Sequence, residues 1–437
     1  MQEKQLYALW QALGRSGQWV RDARHRLRVL DAGALNLSFG PDFTGACFEL
    51  DGTRFYGDVE MHVKQSDWYR HRHHLDPFYK NVALHVVLTP PEDPAQVLSR
   101  VNQRFIPSFF LNAQMLPSPV QHPALHCQPA SESPDIPAIL EHLALRRFKL
   151  KIRAFYRQLS SVSLEQLFYA SLLRALGYPN NAAAFELLAQ RLPVAWLKRQ
   201  LNSPFFGFEQ LYALYAGQAG FLTMPRPDPY SRQLQLFYEE HRFELPTENL
   251  FPEQWQFAGV RAVNHPHFRL AAWVALLQKA QDLPFSQIYH LFAKRLPFPQ
   301  LLQEVLLYFK IPVSDYWARH YRLASAPVVH GSKFYFGRAR IFEILTNVVL
   351  PLLTVRALRS HSDGFLAYLQ NFCLWLPPVT TYRSLTRYFP WWKGYQALWP
   401  RHAFWQALLQ LNSEFCYAGA CEQCPLQRLL DKSRYFD

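Results

Sequence analysis

One β-hairpin constrains this chain more than any other feature of its sequence. Ala46, Phe48 and Leu50 alternate with polar or small residues, Asp51-Gly52 follows, and Phe55, Gly57, Val59, Met61 and Val63 resume the alternation. Asp-Gly is favoured in a two-residue hairpin turn because both central residues adopt positive φ. Side chains of a strand repeat with period two, so Tyr56, Asp58, Glu60, His62 and Lys64 share the opposite face of the second strand. Pro41-Asp42 stands at the mouth of the first strand, and Glu60-Met61-His62 follows eighteen residues later on its partner. A face that lines up two acids, an imidazole and an ammonium is not built for burial alone.

The spacing of the two carboxylates suits one hard cation. Mg²⁺ or Mn²⁺ takes one or two protein carboxylates and leaves its other positions to water and substrate phosphate. Asp42 and Glu60 are the expected ligands, the Met61 carbonyl a further one, and His62 or Lys64 the group that orients water or stabilises developing charge. Both acids are expected to point away from the core. Around the hairpin, Glu3 to Leu13 reads as a helix, Leu27 to Leu30 as a strand, and Val82 to Leu88 as an apolar strand stopped by Pro90-Pro91. The stretch from Asp67 reads as a helix with Asp67, His71, His74 and Phe78 on one face.

Strand, hairpin, helix, strand, with Pro41-Asp42 and Glu60-Met61-His62 in the motif positions, resembles the PD-(D/E)xK nuclease superfamily. The resemblance implies an α+β chain with a restriction-endonuclease-like core (a mixed sheet with a hairpin and flanking helices) and metal-dependent hydrolysis of nucleic-acid phosphodiesters. His62 occupies the lysine position of the motif, and Lys64 lies one same-face step further on. The alternative is a non-catalytic nucleic-acid-binding or assembly protein on a degenerate nuclease fold.

His71, His73, His74 and His85 crowd close to this motif. They read either as a solvated helix face with His85 buried, or as phosphate donors and a general acid in the site, His71 and His74 foremost. Zinc is the weaker reading, since an i, i+3 pair lacks a third ligand.

Net charge is +13 with pI near 9.5, which favours a polyanionic partner such as nucleic acid. Met1-Gln2-Glu3-Lys4 has no apolar stretch behind it, so no secretory signal is expected, and the longest apolar run, Val348 to Val355, falls short of the roughly 20 residues of a membrane helix. A soluble, cytoplasmic protein without membrane contact is expected. Six cysteines in 437 residues exclude a disulfide scaffold.

Three regions are predicted. Residues 1–90 form the nuclease-like α/β domain. Residues 91–138 form a proline-rich connector, since ten of the 32 prolines fall between Thr89 and Pro137. Residues 139–437 form a large all-α region. Ser163-Leu164-Glu165-Gln166 is a capping box ahead of a helix that Gly177 ends. Arg146, Lys149, Arg153 and Arg157 descend one helical face, either as a solvated stripe or as a rail for phosphates.

Near the C-terminus, Cys416, Cys421 and Cys424 are spaced C-x4-C-x2-C and followed by Pro425. Such a turn presents thiolates to one structural metal, zinc or an iron–sulfur cluster. Cys373 is the first candidate for a fourth ligand, with Cys127, Cys47 and His402 behind it. Some nucleases of the superfamily resembled hold their ends together with one distant and three C-terminal cysteines.

The chain also resembles the bacterial family catalogued as domain of unknown function 2851. The resemblance rests on Gly40-Pro41-Asp42-Phe43, Gly57 to His62, Ser66-Asp67-Trp68 with His71 and His73, and Tyr79 to Val87. Leu176-Gly177-Tyr178, His265-Pro266-His267-Phe268-Arg269, Thr346 to Pro351 and the terminal cysteine turn fit as well. It covers most of the chain and implies no activity.

Overall fold

The computed structural model describes residues 4–36, 40–115, 135–201, 207–245, 249–280, 283–313, 315–379, 385, 389, 392, 400–416 and 423–426. The chain divides into two compact units, residues 1–154 with 374–437, and residues 155–373.

The first unit is built on a mixed sheet. Its strands are β1 (Trp19–Arg21), β2 (Arg26–Asp31), β3 (Ala34–Leu35), β4 (Phe43–Leu50), β5 (Thr53–His62), β6 (Val82–Val87), β7 (Gln96–Ser99) and β8 (Arg104–Phe110). They lie in the order β1-β2-β4-β5-β6-β8-β7, with β3 paired to β4. Pairing is antiparallel from β1 to β5, parallel from β5 through β6 to β8, and antiparallel again at β7. Helix α1 (Lys4–Ser16) places Leu6, Leu9, Trp10 and Leu13, at i, i+3, i+4 and i+7, in one core with Phe43, Phe48, Val59 and Met61.

The hairpin forms at the predicted turn. Asp51 and Gly52 take φ of +52° and +89°, and Leu50 pairs with Thr53, the two-residue loop in which both central residues are left-handed. Gly57 is required for another reason. A Cβ there would lie 2.6 Å from the Ala83 Cβ and 2.8 Å from the Asn81 carbonyl oxygen, so the absence of a side chain lets β5 close on the start of β6.

Two expectations are corrected. The α/β region does not end at residue 90: Gln96–Ser99 and Arg104–Phe110, inside the predicted connector, are strands of the sheet. Pro107 is tolerated in β8 because it pairs with Gln96 on β7 only; pairing to β6 begins at Ser108. The second correction concerns the polar face of β5. Tyr56 near the turn is 74 % exposed, but Glu60 is 5 % and His62 1 % exposed. The chain after β5 folds back over that face, with Trp68, Tyr79, Val82, Val97 and Ile106 forming a second, smaller core. The far end of β5 is therefore buried on both sides, and Glu60 points into the protein rather than away from it.

Helix α3 (Asp135–Gln158) leads into the second unit, which is helical, but the predicted all-α region 139–437 is not one unit, since residues 139–154 and 374–437 group with the sheet. Ser163 caps Leu164–Leu176 through its hydroxyl, which accepts from the Gln166 amide at 3.2 Å, and Gly177 ends that helix. Pro266–Ala280 is buried on nearly every side, the mark of a central helix. The apolar segment at Val348 is part of a longer helix, Arg338–Arg359, with a π-helical turn at Leu345–Val349. By length and composition alone that helix is able to cross a membrane, but 78 % of its most apolar window is buried inside the protein.

Candidate metal centre

The site is built where β5 ends. A single helical turn, α2 (Asp67–Arg70), follows it, held by the Asp67 carboxylate, which accepts the Lys64 amide at 3.1 Å and pairs with Arg70 at 2.9 Å. The helix stops there because Arg72 adopts φ of +61°, and a 3₁₀ turn, His73–Leu75, follows. The predicted face of Asp67, His71, His74 and Phe78 therefore does not exist. The left-handed residue turns His71 and His73 toward β5 together and sends His74 to the Tyr69 ring, edge-on at 5.2 Å between centroids.

Four imidazoles and a carboxylate meet as a result. His62 Nε2 lies 3.1 Å from His71 Nδ1 and 3.5 Å from Glu60 Oε1, and His73 Nε2 lies 3.3 Å from the same oxygen. On its other side His62 Nδ1 is 2.9 Å from His85 Nε2, and His85 Nδ1 is 3.0 Å from the Ser108 hydroxyl. His73 is stacked on the Tyr79 ring at 3.8 Å. One ligand atom from each of His62, His71 and His73 lies within 4.8 Å of the others. Among the described residues this is the one group of three or more such donors.

Burial sets the charge of these rings. It holds His62 well below the ordinary histidine range, helped by the neighbouring imidazoles and Arg70. It lowers His85 to about 3, and lowers His71, with Arg70 assisting, to about 4. The three rings are uncharged at neutral pH, so the His62–Glu60 contact is not an ion pair. Uncharged imidazole is the form that binds a metal.

Asp42 joins the site through the backbone. Its amide donates to Glu60 Oε2 at 3.0 Å, its Oδ2 accepts the Met61 amide at 2.9 Å, and its Oδ1 accepts a short hydrogen bond from the Tyr7 hydroxyl. The two acids of the motif are thus adjacent, as predicted, and laced together across the mouth of the hairpin. Lys64 is exposed and contributes its backbone amide to Asp67.

Of the residues the sequence singled out, the structure brings Asp42, Glu60, His62 and His71 together, and it brings in His73 rather than His74. Tyr7 and Ser108 were missed. Ser108 left a faint trace, a lone hydroxyl between Ile106 and Phe109 in an apolar run.

Elsewhere, Arg146, Lys149, Arg153 and Arg157 are exposed along α3, with Arg146 in a two-pronged pair with Glu414. Cys416 and Cys424 are buried in an apolar cluster with Phe404 and Trp405, Cys373 is buried in the second unit, and Cys47 is half-buried on β4. His402 is buried, whereas Cys421 and Cys127 lie outside the described residues. A cavity of about 430 Å³ in the second unit is walled by Phe221, Trp255, Phe257 and His267 with Arg226 and Arg322, and among the described residues no carboxylate lines it.

With this geometry in view, the comparisons with known proteins bear on kinship alone. A family model described as protein of unknown function (DUF2851) matches residues 3–376. The chain belongs to that family. No curated protein and no solved structure matches it. The DUF2851 match spans the whole candidate metal centre and all of the helical unit.

Proposed function

We propose that this DUF2851 protein is a metal-dependent phosphodiesterase acting on intracellular DNA or RNA. The observation that carries the reading is the carboxylate pair at the open end of the hairpin, Asp42 and Glu60, tied to each other through the Asp42 amide. The donor set fits a divalent ion of the Mg²⁺ or Mn²⁺ kind, because two adjacent carboxylates leave room for water and phosphate oxygens. Such an ion, when bound, supplies Lewis acidity and a water of lowered pKa. The chain's own residues supply position. Tyr7 and the Met61 amide fix the Asp42 carboxylate, and His62 and His73 face Glu60 Oε1. His62, standing where the resembled motif has lysine, offers an uncharged ring rather than fixed positive charge. The net charge of +13 and the exposed Lys149, Arg153 and Arg157 provide phosphate contacts.

The test is cleavage of plasmid, linear duplex, single-stranded DNA and RNA with Mn²⁺, Mg²⁺ or EDTA, alongside Asp42→Asn and Glu60→Gln proteins. The isosteric amides are preferred because both carboxylates carry hydrogen bonds. Cleavage that needs metal and disappears in both variants supports the reading. A specific observation favours the alternative, since both Asp42 oxygens accept hydrogen bonds and Lys64 faces solvent. Salt-sensitive nucleic-acid binding without cleavage in any metal would establish a binding protein instead.

A further inference from the structure

We infer that His62, His71 and His73, with Glu60, form a tetrahedral site for a transition-metal ion of the zinc class. The site shares Glu60 with the carboxylate pair on which the phosphodiesterase reading rests but takes its other donors from the three imidazoles, and it is tested by metal binding alone.

The geometry is the first argument. A tetrahedral ion with bonds of about 2.0–2.1 Å separates its ligand atoms by about 3.3–3.4 Å. The distances in the cluster are 3.1 Å from His62 Nε2 to His71 Nδ1, 3.5 Å from His62 Nε2 to Glu60 Oε1, and 3.3 Å from His73 Nε2 to Glu60 Oε1. Three edges of the four-atom figure thus fall within a few tenths of an ångström of the requirement. The remaining histidine pairs stay within 4.8 Å.

The donor set is the second argument. Three imidazoles and one carboxylate are a poor home for Mg²⁺, which prefers oxygen and water, and a good one for Zn²⁺ and its first-row neighbours.

The third argument is what stands behind the ligands. A metal-bound histidine normally donates its other N–H to a fixed acceptor, which sets its tautomer and aims its lone pair. His62 has that partner in His85, and His85 in turn has Ser108. With His62 carrying its proton on Nδ1 and His85 on Nδ1, the donors run in one direction to the serine oxygen, and the Nε2 lone pair of His62 faces His71, His73 and Glu60. Loading requires His71 to carry its proton on Nε2. That displaces the 3.5 Å contact from Arg70, which keeps its 2.9 Å pairing with Asp67.

The experiment uses the full chain without an affinity tag, stripped with a chelator and reloaded with Zn²⁺ or Co²⁺. Elemental analysis should give one tightly held ion per chain. The Co²⁺ protein should show the intense visible bands of four-coordination without a thiolate charge-transfer band, and Cys416→Ser/Cys424→Ser protein should keep them. His71→Ala and His73→Ala should each weaken binding by more than the ~10–100-fold that loss of an outer partner costs, while His74→Ala leaves it unchanged. Circular dichroism confirms folding of each variant, and Glu60→Gln adds a fourth, isosteric probe. Absence of a bound ion, or an affinity indifferent to folded His71→Ala and His73→Ala, overturns the centre. An ion bound as described in a protein that cleaves nothing keeps the centre and removes the phosphodiesterase. Mg²⁺-supported cleavage that persists in His71→Ala and His73→Ala removes the centre and keeps the phosphodiesterase.

Discussion

The His85 ring and the Ser108 hydroxyl meet at 3.0 Å on directly opposed positions of the parallel strands β6 and β8, both wholly buried. Since Glu60 pairs with His85 in the same register, a row of polar residues crosses three neighbouring strands. Ser108→Ala leaves the His85 Nδ1 without that partner in a dry interior and should cost about 1–3 kcal/mol. Urea denaturation measures it. A loss below 0.5 kcal/mol, on the order of a neutral surface substitution, would mean that the serine is not holding the ring.

Gly57→Ala should destabilise the protein by about 1–3 kcal/mol, because its Cβ meets both a side chain and a backbone carbonyl of the neighbouring strand. Ala83→Gly removes only the first obstacle. The double variant should therefore regain part of the loss and not all of it, a coupling read from a double-mutant cycle.

Arg72 holds the left-handed conformation that aims His71 at His62 and His73 at Glu60. Glycine adopts that conformation freely, whereas a β-branched residue pays about 1–2 kcal/mol for it. Arg72→Gly should keep the fold and the cluster, and Arg72→Val should lower the denaturation midpoint. Equal midpoints for the two would show that the backbone there rearranges.

Two histidines outside the cluster make stability depend on pH. Burial, aided by Lys151, lowers His402 to about 4, and burial, aided by Arg322, lowers His265 to about 4. Unfolding lets each ring return to its ordinary value near 6.5, so the unfolded chain binds more protons between these limits. Their contribution is complete above about pH 6.5 and is lost as pH falls toward 4, by up to about 1.4 kcal/mol per pH unit for each ring. Urea midpoints at pH 7.5, 6 and 5 should fall in that order. His402→Gln and His265→Gln should flatten the decline, and an unchanged slope would refute the assignment.

The hairpin and the helical half were legible because they rest on local chemistry. Asp51-Gly52 tolerates positive φ, and Ser163 caps the helix that Gly177 ends. What stayed hidden depends on contacts distant in sequence. The strand at Arg104–Phe110 is masked by Pro107, whose place beside a single neighbour follows only from the finished sheet. The choice of His73 over His74 turns on one left-handed arginine, and nothing in the pattern from Asp67 to His74 announces it. The burial of Glu60 and His62 follows from a segment that folds back over β5, whereas period two gives only the side of the strand they occupy.

All of the clustered side chains, from Glu60 to His85, with Ser108 behind them, precede the first residue of the helical unit. During synthesis the donor set leaves the ribosome before any of residues 155–373 has been made. The donors of the proposed site are therefore present in the nascent chain before the helical unit is, whereas residues 374–437 of their own compact unit come last, and a premature stop after the sheet would yield a fragment carrying every donor in the cluster.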